Sequence, residues 1–433
     1  MNSKIFTTLL VVVLASGIVF RIWFLRQYGP YELSPDGIKY MAIAKNLAEK
    51  GLFSIDGVNP TEEVGPGFPL LLYLCYLPMK NGPKAQQILG VVQVILGSLS
   101  LLLTYLIGRN FFSPWAGLIA MSILTFYQPL IFIQNYTLTE SLYIFLIAIS
   151  IYLLSIWDPG CSMRRQTWCI SAGIGLCIAL QALVRPPSLL FVTIPLGTAL
   201  YKMRLGAVRQ RILQAYGLLL VAFCLTLTPW VIRNYLTFNK LIIVSSGSVD
   251  PLLFGTFPQR EGYLNALKEL HQQIQQLPQG SDVLAFSEQF AINQVKQQFQ
   301  KDFGAALKWY TVQKFQLLWA RPYTPNPGLR FAEEETIIYH RWMCSLGALG
   351  ILLQLLFVRS YSWYILCSHL LVVSLVYQIY AADPRYALPF MPLVAVIVGF
   401  LCSLIFAWLS SAYMIDAKVP RFKWIPRSCA GRH

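Results

Sequence analysis

Ser34-Pro35-Asp36-Gly37-Ile38-Lys39-Tyr40, followed by Pro66-Gly67-Phe68-Pro69, interrupts a chain that is otherwise mostly hydrocarbon-compatible helix. The residues before it, Ile5 to Leu25, form an apolar run long enough to span a bilayer. No small-x-small cleavage pattern separates that run from the quoted stretch, so the run reads as a retained signal anchor. The stretch is therefore the first polar segment beyond a first membrane helix. An acidic residue placed there, with arginines at the same ends of later helices, suits work on a charged lipid head group.

Of the 433 residues, 56% are hydrophobic and 12% charged, and the mean hydropathy is +0.54. A soluble domain carries about 25% charged residues, so an all-α polytopic membrane protein is the expected class. Tyr and Trp near the ends of apolar runs fit interfacial belts. The net charge of +15 lies largely in short loops and the tail, which argues for cytoplasmic membrane flanks and against nucleic acid. Seven of the nine cysteines (75, 169, 177, 224, 344, 367 and 402) fall in apolar runs, and Cys161 and Cys429 fall in basic segments. None has metal-ligand spacing, so neither a disulfide framework nor zinc is expected.

Runs of spanning length read as 5–25, 85–108, 113–133, 137–157, 168–184, 187–201, 211–232, 341–358, 361–380 and 385–411. With the N terminus inside, alternation puts Arg164, Arg165, Lys202, Arg204, Arg209, Arg211 and Arg359 on the cytoplasmic face. Lys418, Arg421, Lys423 and Arg427 of the tail join them, which supports about ten spans with both ends inside. Pro66 to Met79 is too short for a span and reads as a re-entrant or interfacial helix. The organisation is a 1–232 module with a first outer loop at 26–84, an outer-face region at 233–340, and C-terminal helices with a basic tail at 341–433. Ile38 to Ala48 has a helical rhythm that Gly51 should stop. The part from Asp282 to Trp319 has apolar residues at helical spacing, expected to form amphipathic helices on the membrane surface. No Walker or GxGxxG pattern appears, which argues against a cytosolic nucleotide site.

Charged residues gather at the outer ends of these spans. Asp36 follows the first, and Glu62 and Glu63 precede Pro66. Glu140 opens the fourth in Thr137-Leu138-Thr139-Glu140-Ser141, and Arg185 ends the fifth in Val184-Arg185-Pro186-Pro187. Arg233 ends the seventh in Pro229-Trp230-Val231-Ile232-Arg233-Asn234, and Arg385 opens the last in Asp383-Pro384-Arg385-Tyr386. Ionisable residues at membrane depth are costly and mark a pathway or site by default. Each has a plainer role open to it. Asp36 suits a helix N-terminus, Glu62 and Glu63 suit a loop surface, and the arginines could snorkel to lipid phosphates as topology anchors. Opposite charges delivered to one face by independent spans favour the site.

Asp36 to Tyr40 with Ala44, Leu47 and Gly51, then Pro66 to Leu70, resembles the first outer loop of GT-C glycosyltransferases. The nearest group is that of protein O-mannosyltransferases and the lipid A aminoarabinose transferase. Thr139-Glu140-Ser141, Pro229 to Asn234 and Arg385 to Pro392 match further stations in the same order. The resemblance implies a GT-C-like bundle that moves a sugar from a polyprenyl-phosphate carrier to an acceptor hydroxyl of a lipid, glycan or protein. The transfer would run with inversion on the non-cytoplasmic face, here the periplasmic face of a bacterial plasma membrane. The family's loop-one Asp is its catalytic base, which maps to Asp36; many relatives follow it with Glu, where this chain has Gly37. Glu62 and Glu63 are further catalytic candidates. Arg185, Arg233 and Arg385, with Tyr40, Glu140 and Tyr386, are candidates for holding donor and phosphate, as the planar fork of Arg suits phosphate. No cofactor is required if arginines stabilise the departing charge, although the carboxylates leave divalent-metal binding open. The competing class is a transporter or flippase of lipid-linked glycans, using the same arginines with Asp36 as gate; an inverted repeat would favour it, and none is evident.

Overall fold

The computed structural model describes residues 3–31, 33–160, 165–204, 208–278, 281–323, 333–357 and 361–413. Among these the secondary structure is helical throughout. The chain is a multi-pass membrane protein. Among the described residues, seven helices are long and apolar enough to cross a membrane, or eight if one bent pair counts as a single span.

The first long helix, α1 (Ser3–Tyr28), leads into α2 (Pro35–Lys50), α3 (Gly67–Tyr76) and α4 (Gly82–Phe111). The boundaries of α2 follow from its sequence. The Ser34 side chain accepts from the Gly37 N–H at 3.2 Å, Pro35 occupies the first turn, and Gly51 ends the helix at φ +67°. Next come α5 (Pro114–Thr125) and α6 (Gln128–Phe132), then α7 (Glu140–Ile156), α8 (Arg165–Val184), α9 (Thr193–Arg204) and α10 (Arg209–Phe238). The remaining elements are α11 (Val249–Thr256), α12 (Tyr263–Gln275), α13 (Val283–Lys301), α14 (Phe303–Lys308), α15 (Lys314–Trp319), α16 (Glu333–Phe357), α17 (Tyr361–Ile379), α18 (Pro384–Ala387) and α19 (Met391–Tyr413).

The expected count of about ten spans is not reached among the described residues, and the difference lies in three places. The 113–133 run is two helices, α5 and the segment 128–135, bent by 67°. Pro129 near the start of the second piece removes an amide donor and biases the chain away from continuous helix. The 137–157 run is the 17-residue α7, which starts only at Glu140. The 187–201 run opens as a tight 3-10 segment, Pro186–Val192, that begins with two prolines, and leaves 12 residues for α9. Pro66 to Met79 yields the 10-residue α3. Arg164, Arg359, the tail residues from Lys418 onward, Cys161 and Cys429 lie outside the described residues.

One large apolar core joins α4, α5, α7, α8, α17 and α19. Backbones approach closely where side chains are small: a Cβ at Gly175 would lie 2.1 Å from the Leu219 carbonyl oxygen, which brings α8 against α10. The segment after α10 has a second, small core, in which Leu253, Phe257, Leu270 and Phe290 join α11, α12 and α13. It is tied back to the bundle by Lys314, whose buried Nζ donates to the carbonyls of Gln378, Ile379 and Tyr380 at 2.9, 3.2 and 2.9 Å. A cation there caps the C-terminal end of α17, where the orphan carbonyls and the helix dipole favour it.

Candidate active site

The prolines and small residues of the first loop determine how it seats on the bundle. Cβ atoms at Gly65 and Gly67 would lie 2.3 and 3.1 Å from the Leu183 carbonyl oxygen, so only glycine lets this loop reach the end of α8, two residues before Arg185. At Gly37 a Cβ would lie 3.1 Å from the Thr137 carbonyl oxygen, so the first turn of α2 rests on the segment leading to Glu140. Gln93, buried in α4, holds that segment by donating to the carbonyls of Gln134 and Tyr136 at 3.0 and 2.8 Å.

These contacts bring four charged residues from four parts of the chain into one line. Arg385 donates from Nη1 to Asp36 at 2.6 Å and from Nε to Glu140. Arg185 donates from Nη2 to the same Glu140 oxygen, and from Nε and Nη2 to the Thr139 hydroxyl at 3.0 and 2.9 Å. Exposure falls from one end of the line to the other: Asp36's side chain is 46% exposed and Arg385's 17%, while Glu140's is 0% and Arg185's 9%. The open end is thus a carboxylate and the sealed end is an ion pair. Within the sealed end, Glu140 Oε2 and Arg185 Nη1 have no hydrogen-bond partner among the described residues. Tyr143 and Tyr386 face the Arg185 guanidinium at 5.3 and 5.5 Å, and Tyr377 stacks on Tyr386 at 4.3 Å. Asp383 fixes the Arg385 backbone by accepting its N–H at 2.9 Å. Tyr40 is half-buried on α2, edge-on to Phe68. Burial, and then the Asp36 carboxylate, push its phenol above the ordinary range.

The other candidates stand apart from this line. Glu63 is exposed and pairs with Lys39 at 3.1 Å. Glu62 is half-buried, and its carbonyl accepts the Ser246 N–H at 2.9 Å. Arg233 points at the first loop: Nη1 donates to the Thr61 carbonyl and the Asn234 side chain, both at 2.9 Å, and Nη2 to the Phe53 carbonyl at 3.3 Å. Trp230, Phe238 and Phe53 surround its guanidinium at 4.9, 5.2 and 5.4 Å. It clamps the loop that carries Thr61 to Gly67 and makes no contact with the Asp36–Arg385 line. Two neighbours escaped sequence reasoning. Thr139 was visible only as the residue before Glu140, and Tyr377 sits inside an apolar run that gives no signal.

Residues 88–242 match the family model described as dolichyl-phosphate-mannose-protein mannosyltransferase. In fold the chain is similar to the oligosaccharyltransferase of Archaeoglobus fulgidus solved with a tethered acceptor peptide containing the NVT sequon. The TM-score is 0.60 at 15% identity, over 96% of this chain and 51% of that one. The oligosaccharyltransferase AglB of the same organism, in complex with an inhibitory peptide and a dolichol-phosphate, gives 0.59 at 15% identity, over 96% and 52%. A weaker likeness, TM-score 0.44 at 13% identity over 95% and 81%, is to ArnT from Cupriavidus metallidurans bound to undecaprenyl phosphate. The chain spans about half the length of the oligosaccharyltransferase it matches. No curated protein matches it in sequence. The match over 88–242 and the fold shared with the archaeal enzyme bear out the sequence resemblance: residues 88–242 are similar to the protein mannosyltransferase family, and the multi-pass helical bundle shares the fold of the archaeal oligosaccharyltransferase.

Proposed function

We propose that the chain transfers a sugar from a polyprenyl-phosphate donor to an acceptor hydroxyl, with Asp36 as general base and Arg385 as the residue that meets the donor phosphate. The observation that carries this reading is the single guanidinium shared between the half-exposed Asp36 and the buried Glu140. Glu140 is fixed by Arg185, which the Thr139 hydroxyl holds in turn, and keeps Arg385 in place from behind. The Nη1 edge of Arg385 is then turned towards the open end, where a phosphate can compete with Asp36 for it. As that happens, Asp36 is released to accept a proton. The acceptor oxygen bonds to the anomeric carbon, the bond from that carbon to the phosphate oxygen breaks, and the phosphate leaves with the electron pair. The hydroxyl proton passes to Asp36. The displacement inverts the anomeric carbon, and the carrier's tail stays in the bilayer while the sugar reaches the open end.

In this reading the open end faces the non-cytoplasmic side, which the basic loops of the sequence support, and a bacterial plasma membrane is part of the same proposal. The archaeal oligosaccharyltransferase has also been solved in complex with zinc and sulfate. In this chain the space between the Asp36 and Glu140 carboxylates is taken by Arg385, a fixed cation, and the residues present do not fit a metal there. Charge stabilisation by arginine therefore stands in place of a cofactor in this reading.

The test is turnover by the purified full chain in proteoliposomes, offered labelled polyprenyl-phosphate sugars with lipid, glycan and peptide acceptors. Wild type should transfer, with the product's anomeric configuration inverted and the rate unchanged by chelator. Asp36→Asn should fold yet lose about 10²–10⁴-fold in rate. A folded Asp36→Asn protein that turns over normally would remove Asp36 from the chemistry.

A further inference from the structure

The face of α1 turned towards α4 carries Leu14, Ile18, Ile22 and Leu25, roughly one residue per turn. Opposite them, α4 contributes apolar residues from Val91 to Leu102, with Ser98 among them. Together they line a groove of about 520 Å³ that contains none of the residues of the Asp36–Arg385 line. It lies at the bundle's edge, because only 11% of the spanning part of α1 is buried inside the protein. The two helices also meet closely beside it: a Cβ at Gly90 would lie 2.9 Å from Leu25 Cδ1, and one at Gly17 2.7 Å from Leu101 Cδ1.

Two features say what this groove accepts. The first is its length. From Leu14 to Leu25 the helix rises about 16 Å, close to one leaflet's half of a hydrocarbon core about 30 Å thick. The second is its mouth. Arg26 closes the lining at the end nearest α2, is exposed, and pairs with no carboxylate among the described residues. Trp23, 50% exposed, and Tyr28 meet edge-to-face at 6.3 Å on the same turns. Aromatic pairs of this kind sit at the head-group level, which sets Arg26 at phosphate depth.

We propose that this groove binds an anionic glycerophospholipid of the leaflet on the site's side, one acyl chain along α1 and α4 and its head group on Arg26. An acyl chain suits a slot that stops at Leu14 and Leu102 after one leaflet's length; a polyprenyl chain would run past both. The bound lipid would steady α1 against α4 just before the chain enters the loop that carries Asp36.

The full chain, purified in detergent, is incubated with equal amounts of dioleoyl phosphatidylglycerol and dioleoyl phosphatidylcholine. Native mass spectrometry then reads the lipid retained. The wild type should keep one phosphatidylglycerol with a preference of about fivefold, the order expected of one basic residue at an anionic lipid surface. Arg26→Gln should bring the preference close to one while lipid still binds. Ser98→Trp, which fills the slot, should retain neither lipid, with circular dichroism confirming that both variants are folded. Equal retention of the two lipids by wild type would reduce the groove to ordinary lipid contact. An undiminished preference in Arg26→Gln would place the head group elsewhere. Displacement of phosphatidylglycerol by an equal amount of undecaprenyl phosphate would overturn the choice of occupant.

Discussion

Glu140→Gln tests the line of charges most directly, because it removes the one carboxylate that two guanidiniums share. Glu140's side chain is fully buried, and its partners Arg185 and Arg385 are 9% and 17% exposed. Removing one partner of a buried ion pair leaves an uncompensated charge and costs about 3–5 kcal/mol. Arg385 keeps Asp36 at 2.6 Å, and glutamine keeps a carbonyl acceptor, so the lower end applies. A loss of about 3 kcal/mol is more than 100-fold in the folding equilibrium. Arg185→Gln should cost a similar amount by exposing the opposite charge. The double variant has no orphaned charge at that position and should be more stable than the sum of the singles predicts by about 1–3 kcal/mol. Denaturant titration in mixed micelles, followed by tryptophan fluorescence, measures all three. A Glu140→Gln protein within about 0.5 kcal/mol of wild type, or strictly additive losses, would mean that Glu140 is not the shared counter-charge.

Arg385→Lys should weaken binding of a sugar-free polyprenyl phosphate by about tenfold or more, because an ammonium cannot serve Asp36, Glu140 and a phosphate from one planar fork; calorimetry with the carrier decides, and unchanged affinity moves the phosphate site. Arg233→Lys should leave that affinity near wild type but speed proteolysis between Phe53 and Thr61, since the loop carbonyls lose their clamp; the reverse pattern would return Arg233 to the carrier. Glu63→Gln should change stability by no more than about 1 kcal/mol, as its pair with Lys39 is exposed. Asp56 is held below the usual carboxylate range by the Val58 and Asn59 backbone N–H groups and by the Asn59 and Ser54 side chains. Its folded value is lowered, so its contribution is present above about pH 3.9 and fades as pH falls through the folded value; limited proteolysis of the 54–59 turn should therefore rise only in strong acid for wild type and be independent of pH in that range for Asp56→Asn.

Composition and apolar run length alone determined that this is a helical membrane protein, because a bilayer leaves the backbone few other ways to satisfy its donors and acceptors. Local chemistry was equally legible: Ser34, Pro35 and Gly51 fix both ends of α2 without help from the rest of the chain. Membership of one charged face was also readable, since Asp36, Glu140, Arg185 and Arg385 each border an apolar run. The span count was not, because a run of apolar residues does not reveal that Pro129 or the Pro186-Pro187 pair breaks it into shorter pieces that the bundle then packs. Nor could spacing distinguish Arg233 from Arg385. Both end or open a membrane helix, yet one is enclosed by Phe53, Trp230 and Phe238 and the other bridges two carboxylates. That difference arises from which segments meet, through glycine approaches at positions 37, 65 and 67 and the hold of Gln93 on the segment before Glu140. Partners 349 and 245 residues apart in sequence are joined by Arg385, and only tertiary packing decides such pairings, because no local rule reaches that far.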